Sequence, residues 1–232
     1  MNKLPAQKVD GLIDGMAVLQ ELAADRNPVS GLALAKKLNM SPVRVNRLLK
    51  TFAYLGYAYQ TTSRKYAVGP GIHVMAAQTM AASGLLRRAF EYLELLSREA
   101  ATVALGMLWK KQVCYLFHKS RSMAMGAGIG SRNLYAAQES SIGMALLAEL
   151  RDERVRELYD GENVDELLDK LAEVRRDGYA LLYHHQHYSL AVVIGQPAYA
   201  ALAVSGIADK HEVPALLEKL REYSARMEQQ NS

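Results

Sequence analysis

Apolar residues at Val45, Leu48, Leu49 and Phe52 repeat at i, i+3, i+4 and i+7, the spacing of a helix that buries one face. The start of that helix is marked. Ser41 offers a hydroxyl to cap it, and Pro42 takes the first helical position, where a missing N–H costs nothing. Gly56 stops it. Upstream, Leu12, Ile13, Met16, Leu19 and Leu22 keep helical spacing over residues 9–24, until Asn27-Pro28 breaks the pattern. Ser30 then caps a short helix over 31–37, and Leu38-Asn39-Met40 turns into the next one. Past Gly56 the period shortens: residues 57–60 and 65–68 flank a polar Thr61-Thr62-Ser63-Arg64 turn, a hairpin. Helix, tight turn, helix and hairpin in this order predict a winged helix-turn-helix over residues 1–70.

Gly69-Pro70-Gly71 punctuates the boundary, and a Met- and Ala-rich linker helix is expected within 71–83. The remainder, 84–232, mixes both periods. Amphipathic helices are predicted at 85–100, 140–150, 151–159, 164–177 and 213–229. Apolar and aromatic strand runs fall at 102–108, 112–118, 180–183, 188–195 and 199–205. Strands interleaved with segregated helices predict an α+β domain built on an antiparallel sheet.

Charge sharpens this picture. The net charge is only +4 over 232 residues, yet residues 1–70 hold ten Lys/Arg against four Asp/Glu, and the rest 18 against 20. Positive charge is therefore concentrated where phosphate binding would need it. On the second helix, Val43, Arg44, Asn46, Arg47, Lys50 and Thr51 lie opposite the apolar stripe, with three positive charges and no negative one. Such a helix fits the major groove of double-stranded DNA. Arg44 and Arg47 are expected at guanine edges or phosphates, Asn46 at an adenine and Val43 at a thymine methyl. Ser41, Pro42, Lys50 and Thr51 flank them, and Arg64 and Lys65 on the wing should meet the backbone or minor groove. A dimer reading two half-sites, hence a palindromic operator, is expected because one helix spans too few base pairs.

Other chemistry is sparse. The one cysteine, Cys114, sits in an apolar run and excludes both an intramolecular disulfide and a cysteine-based zinc finger. No run of 18 apolar residues and no signal-peptide core is present, so a cytoplasmic, non-membrane protein is expected. His184, His185 and His187 invite a metal reading, with His185 and His187 on one strand face, but no carboxylate joins them. The Gly126-Ala-Gly-Ile-Gly-Ser131 passage matches neither a P-loop nor the dinucleotide fingerprint. No nucleophile elbow accompanies Ser189 or Ser205. No catalytic residue, metal or cofactor is therefore assigned. An enzyme or ligand-binding protein whose N-terminal part serves assembly stays open as the alternative.

The stretch 34–69 resembles the helix-turn-helix and wing of the IclR-type transcriptional regulators in order and spacing. It carries Ser41-Pro-Val-Arg-Val-Asn-Arg47-Leu-Leu49, Gly56-Tyr57 and Tyr66-Ala-Val-Gly69. Gly130, Ser140–Ala148, Gly178-Tyr179-Ala180 and Ala200–Gly206 are similar to the family's effector domain, more loosely. The resemblance implies a winged helix-turn-helix joined by a linker helix to a GAF/profilin-like α/β domain that binds an effector and oligomerises. It also implies a repressor acting as a homodimer or a dimer of dimers (homotetramer). A small-molecule effector, often an organic, sugar or aromatic acid, would control it. By the same resemblance the pocket is lined by Ile129, Gly130, Ser140, Leu181, Tyr183, Ser189 and Ser205, with His185 or His187 at its mouth. A carboxylate of the family corresponds to Leu182, and one of two small polar residues on the last strand to Ala203. Hydroxyls, imidazole and the N–H groups of Gly130 and Ser131 are mostly donors. A pocket without an acid would then suit an anionic or hydroxyl-bearing metabolite.

Overall fold

The computed structural model describes residues 7–130, 134–160 and 163–229. The chain divides into two compact units, residues 1–83 and 84–232. In the first, helices α1 (Asp10–Ala24), α2 (Gly31–Lys37) and α3 (Pro42–Tyr54) precede a hairpin of β1 (Ala58–Gln60) and β2 (Tyr66–Val68). Helix α4 (Pro70–Ser83) follows. Val18, Leu22, Leu34, Val45, Leu49 and Tyr66 form the core, so the α3 stripe faces inward as its spacing requires. Val29 bridges to Tyr66 through a reciprocal pair of 2.8 Å backbone hydrogen bonds, which anchor the wing to the segment before α2.

Helix α1 departs from its reading. Val18, Leu19 and Leu22 are buried, but Leu12, Ile13 and Met16 stand exposed with Val9 on another face. Apolar residues occupy more of its circumference than the small core can cover. Helix α4 likewise contributes no buried residue.

The second unit begins with α5 (Leu85–Glu99) and continues through strands β3 (Thr102–Trp109) and β4 (Gln112–Ser120). A short strand β5 (Leu134–Ala136), not anticipated, leads to helices α6 (Ser141–Ala148), α7 (Asp152–Leu158) and α8 (Val164–Asp177). Strands β6 (Ala180–His184), β7 (His187–Ile194) and β8 (Ala200–Ile207) and helix α9 (Val213–Gln229) complete it. Among the described residues the sheet has six strands in the order β5-β4-β3-β8-β7-β6, every neighbour antiparallel.

Each face of the sheet carries its own core. Leu190, Val192, Leu202 and Val204 pack with Leu93 and Leu96 of α5 and Leu216 and Leu220 of α9. The alternate positions, Ala191, Ala201 and Ala203, meet α6 and α8. Small residues on that side admit α6 closely enough that all eight of its residues are buried. Gly143 completes the approach: a Cβ there would stand 2.1 Å from the Ala137 carbonyl oxygen, so only glycine lets the helix start beside that turn. A bulge in β4 pairs Leu105 with Phe117 but Gly106 with Tyr115, leaving Leu116 as the extra residue. Tyr115 and Phe117 therefore face opposite sides although two residues apart. Among the described residues, no helix is long and apolar enough to cross a membrane.

Candidate nucleic-acid interface and ligand pocket

The local chemistry of α3 fixes what it shows to solvent. The Ser41 hydroxyl accepts from the Arg44 N–H at 3.2 Å, Pro42 occupies the first turn, and Val45 and Leu49 are fully buried. Ser41, Pro42, Val43, Arg44, Asn46, Arg47, Lys50 and Thr51 are consequently exposed together. Thr51 Oγ1 donates to the Arg47 carbonyl at 2.9 Å and turns its methyl and hydroxyl along the helix. A shallow cleft of about 390 Å³ runs beside Ser41, Val43, Arg44, Arg47 and Thr51, with Gly11 of α1 on its far wall. The wing is closed by its own side chains. Thr61 Oγ1 accepts from the Lys65 N–H at 3.2 Å, and Arg64 adopts a left-handed φ of 59° at the exposed tip. One contact escaped the sequence: Asp14 of α1 forms an ion pair with Nε of Arg44. The face that carries no acid on its own helix borrows one from α1.

In the second unit, a cavity of about 190 Å³ opens between the sheet and the start of α6. Tyr115, Tyr135, Ala136, Glu139, Ser140, Ser141, Leu182, His184 and Ser189 line it. Ser140 caps α6, its hydroxyl facing the Gly143 N–H at 3.4 Å, and it shares a 3.0 Å hydrogen bond with the Tyr115 hydroxyl. Ser141 and Ser189 are joined at 2.7 Å. Burial pushes the Tyr115 phenol above its usual range, against the opposing pull of the Ser140 hydrogen bond, so it stays a protonated donor at neutral pH. A second depression of about 350 Å³ shares Glu139 and His184 with the first and extends to Tyr159, Glu166 and Lys170.

Of the residues expected here, Ser140 and Ser189 are in place, and others are not. Leu181 belongs to the α5/α9 face and Tyr183 shares its parity, whereas Leu182 and His184 face the cavity. The difference between the expected lining and this cavity is one of parity, since a strand alternates faces at every residue. Ser205 is the cross-strand partner of Ser189 on the same face, yet it does not reach the cavity wall. Ile129 bridges to Phe117 and the Gly130 N–H donates to the Leu116 carbonyl at 2.9 Å, which ties both to the bulged edge of β4, away from the lining. Ser131 lies outside the described residues.

His185 and His187 do not share a strand face. His185 and Gln186 form a two-residue turn with φ of 50° and 66°, and His187 pairs with His184 across it. Among the described residues no three His, Cys, Asp or Glu side chains group as a metal ion would need. The glycine passage begins in a short 3-10 turn, Met125–Gly128, whose Gly128 packs on Phe117 and Lys119. Cys114 is half-buried, and burial raises its thiol above the usual range, which disfavours the thiolate at neutral pH.

Glu139 lines this cavity, which is therefore not without an acid as the sequence reading expected of the pocket. Tyr115, Tyr135, Ala136, Ser141 and His184 were not among the expected lining, whereas Leu182 stands where the resemblance put a pocket position. The Ser-Ser start of α6 marked Ser141, and Ala180 as the first inward residue of β6 would have set the parity of Leu182 and His184. The Tyr115 face depends on the bulge and the Tyr135 strand on pairing, and neither leaves a local signal.

No protein-family model matches the chain. Over 168 residues it is 32% identical to the HTH-type transcriptional regulator BhcR of Paracoccus denitrificans (strain Pd 1222), a match covering 66% of this chain and 60% of that protein. Solved structures share the fold end to end. An IclR transcriptional regulator of Silicibacter sp. TM1040 superposes with a TM-score of 0.82 at 21% identity, covering 95% of this chain and 96% of the other. The Brucella abortus IclR-family regulator gives 0.76 at 24% identity over 98% and 94%. An IclR homolog of Microbacterium hydrocarbonoxydans, complexed with 4-hydroxybenzoate, gives 0.72 at 20% identity over 94% and 98%.

Proposed function

We propose that this chain, which has the fold of the IclR-type regulators over almost its whole length, is itself such a regulator: it binds DNA and answers to a small metabolite. The observation that carries the reading is the exposed face of α3. A capped helix holds Val45 and Leu49 inward and turns Val43, Asn46, Arg47, Lys50 and Thr51 outward beside a wing tipped by Arg64 and Lys65. These are donors and an apolar side chain, Val43, at the spacing that a major groove accepts. Likeness to an HTH-type transcriptional regulator supports it. The activity implies a cytoplasmic address. Incubation with DNA selected from a randomised pool should give a retarded complex that weakens steeply with salt, because Lys and Arg release counterions from phosphates. Absence of any salt-dependent complex would end the reading.

The second unit supplies the control. Its cavity offers the Tyr115–Ser140 and Ser141–Ser189 hydroxyl pairs, each with one O–H left to donate, and the Glu139 carboxylate as acceptor. A hydroxylated organic acid uses both, its carboxylate taking the hydroxyls and its own hydroxyl donating to Glu139. At about 190 Å³ the space is below the usual range for drug-sized ligands, so the metabolite is small. The relative complexed with 4-hydroxybenzoate supports this class. Calorimetric titration with a panel of small hydroxy acids should find a binder, and Ser189→Leu, which fills the cavity, should abolish it. Normal binding by that variant would move the pocket elsewhere.

A further inference from the structure

We propose that Asp14 of α1 is a positioning residue for base recognition: its carboxylate holds Arg44 so that the guanidinium reads a base edge instead of a phosphate. The inference rests on the DNA-binding reading above. Its basis is the ion pair between Asp14 and Nε of Arg44, which joins the first helix to the reading helix beside the cleft of Ser41, Val43 and Arg47.

Arg44 has three constraints on it. Its backbone N–H is fixed by the Ser41 hydroxyl in the first turn of α3, the part of a reading helix nearest the base edges. Its Nε is paired with Asp14, and the terminal nitrogens carry four of the guanidinium's five N–H donors. Its side chain is still 47% exposed, so those donors reach solvent. Charge then chooses the target. An arginine neutralised by a carboxylate gains little at a phosphate, and the carboxylate beside it is repelled there. A guanine O6/N7 edge asks for two directed donors and no net charge, which a held guanidinium supplies. Arg47 and Lys50, exposed on the same helix, have no such partner among the contacts of the described residues and retain their charge for phosphates or bases.

The pair predicts opposite changes in two affinities. In Asp14→Asn the amide keeps the shape and loses the charge. Binding to an operator selected by the parent protein should weaken about tenfold, while binding to a scrambled duplex should strengthen, since a repelling charge is gone. A purely structural role would weaken both, and a purely electrostatic one would strengthen both. The cycle with Arg44→Ala decides it: in that background Asp14→Asn should no longer reduce the operator-to-scrambled ratio. Arg44→Lys, which keeps the charge but cannot fork, should lose the same ratio and guards against a misfolded Asp14 variant. An unchanged ratio in Asp14→Asn, or an equal loss with Arg44 absent, would overturn the proposal. A parent protein that selects no DNA at all would remove the DNA-binding reading, and this one with it.

Discussion

Arg47 lies on α3 one helical position from its buried stripe, exposed, while Val45 and Leu49 are sealed below. Truncating it therefore removes a proposed contact to DNA without opening a cavity. Arg47→Ala should cost about 1–3 kcal/mol of specific binding if the guanidinium forks onto a base, with the melting temperature unchanged; a variant that binds its operator like the parent would exclude the residue from the interface. A second residue sets an acid-side limit. His118 lies against the Tyr115 ring at 5.2 Å, and burial lowers its imidazole below the usual 6.5. The folded state thus prefers the neutral ring. Stability from this group is complete above about pH 6.5 and is lost as pH falls through the lower folded value, because the unfolded chain takes up the proton first. Urea midpoints at pH 7.5 and 5.5 should fall less in His118→Gln than in the parent.

At the scale of elements, α3 stands on its cap. Ser41→Ala removes the hydroxyl that accepts from Arg44 and should lower stability by about 1 kcal/mol, read as an earlier denaturant midpoint; it should also reduce operator affinity, since the first turn carries the proposed DNA contacts. Elements differ in how much of themselves they disclose. The stripe of α3, its cap and its stop are local, and each was legible. Strand β6 was legible as a strand but not in its facing. Leu181 and Leu182 are equally apolar, and the choice between them lies with α6 on one side and α9 on the other. Strand β5 has three residues and no pattern of its own; it exists because β4 offers Gln112 to Cys114 for pairing. The bulge at Leu116 is set by what β3 places opposite.

For the whole molecule, the expected pairing of two copies can be tested on the exposed apolar surface of the first unit. Leu12, Ile13 and Met16 make one exposed stripe on α1, with Val9 just before it, and α4 leaves Val74, Met75 and Met80 exposed. Stripes of this length are rarely left exposed on a monomer, and two copies would present two reading helices to one duplex. Leu12→Glu combined with Met16→Glu should shift the 1–83 portion of the interface, seen as loss of footprint on one half-site of a palindrome, while Ser189-dependent ligand binding persists. Protection of a single asymmetric half-site by the parent would contradict the two-fold arrangement.

By itself the sequence determined the reading helix, the wing, the order of nearly every element and the separation of a basic first part from a mixed second part. These follow from periodicity, caps, glycine and proline, and net charge, all of which act over a few residues. Only the tertiary structure decided which side of β6 faces α6, that Glu139 enters the cavity with Tyr115, and that Asp14 clasps Arg44. Each of these depends on groups distant in the chain: Glu139 and Tyr115 are brought together by the bulged edge of the sheet, and Asp14 and Arg44 by the crossing of two helices. A pairing between distant segments is settled by packing, and packing leaves no mark in the local order of residues.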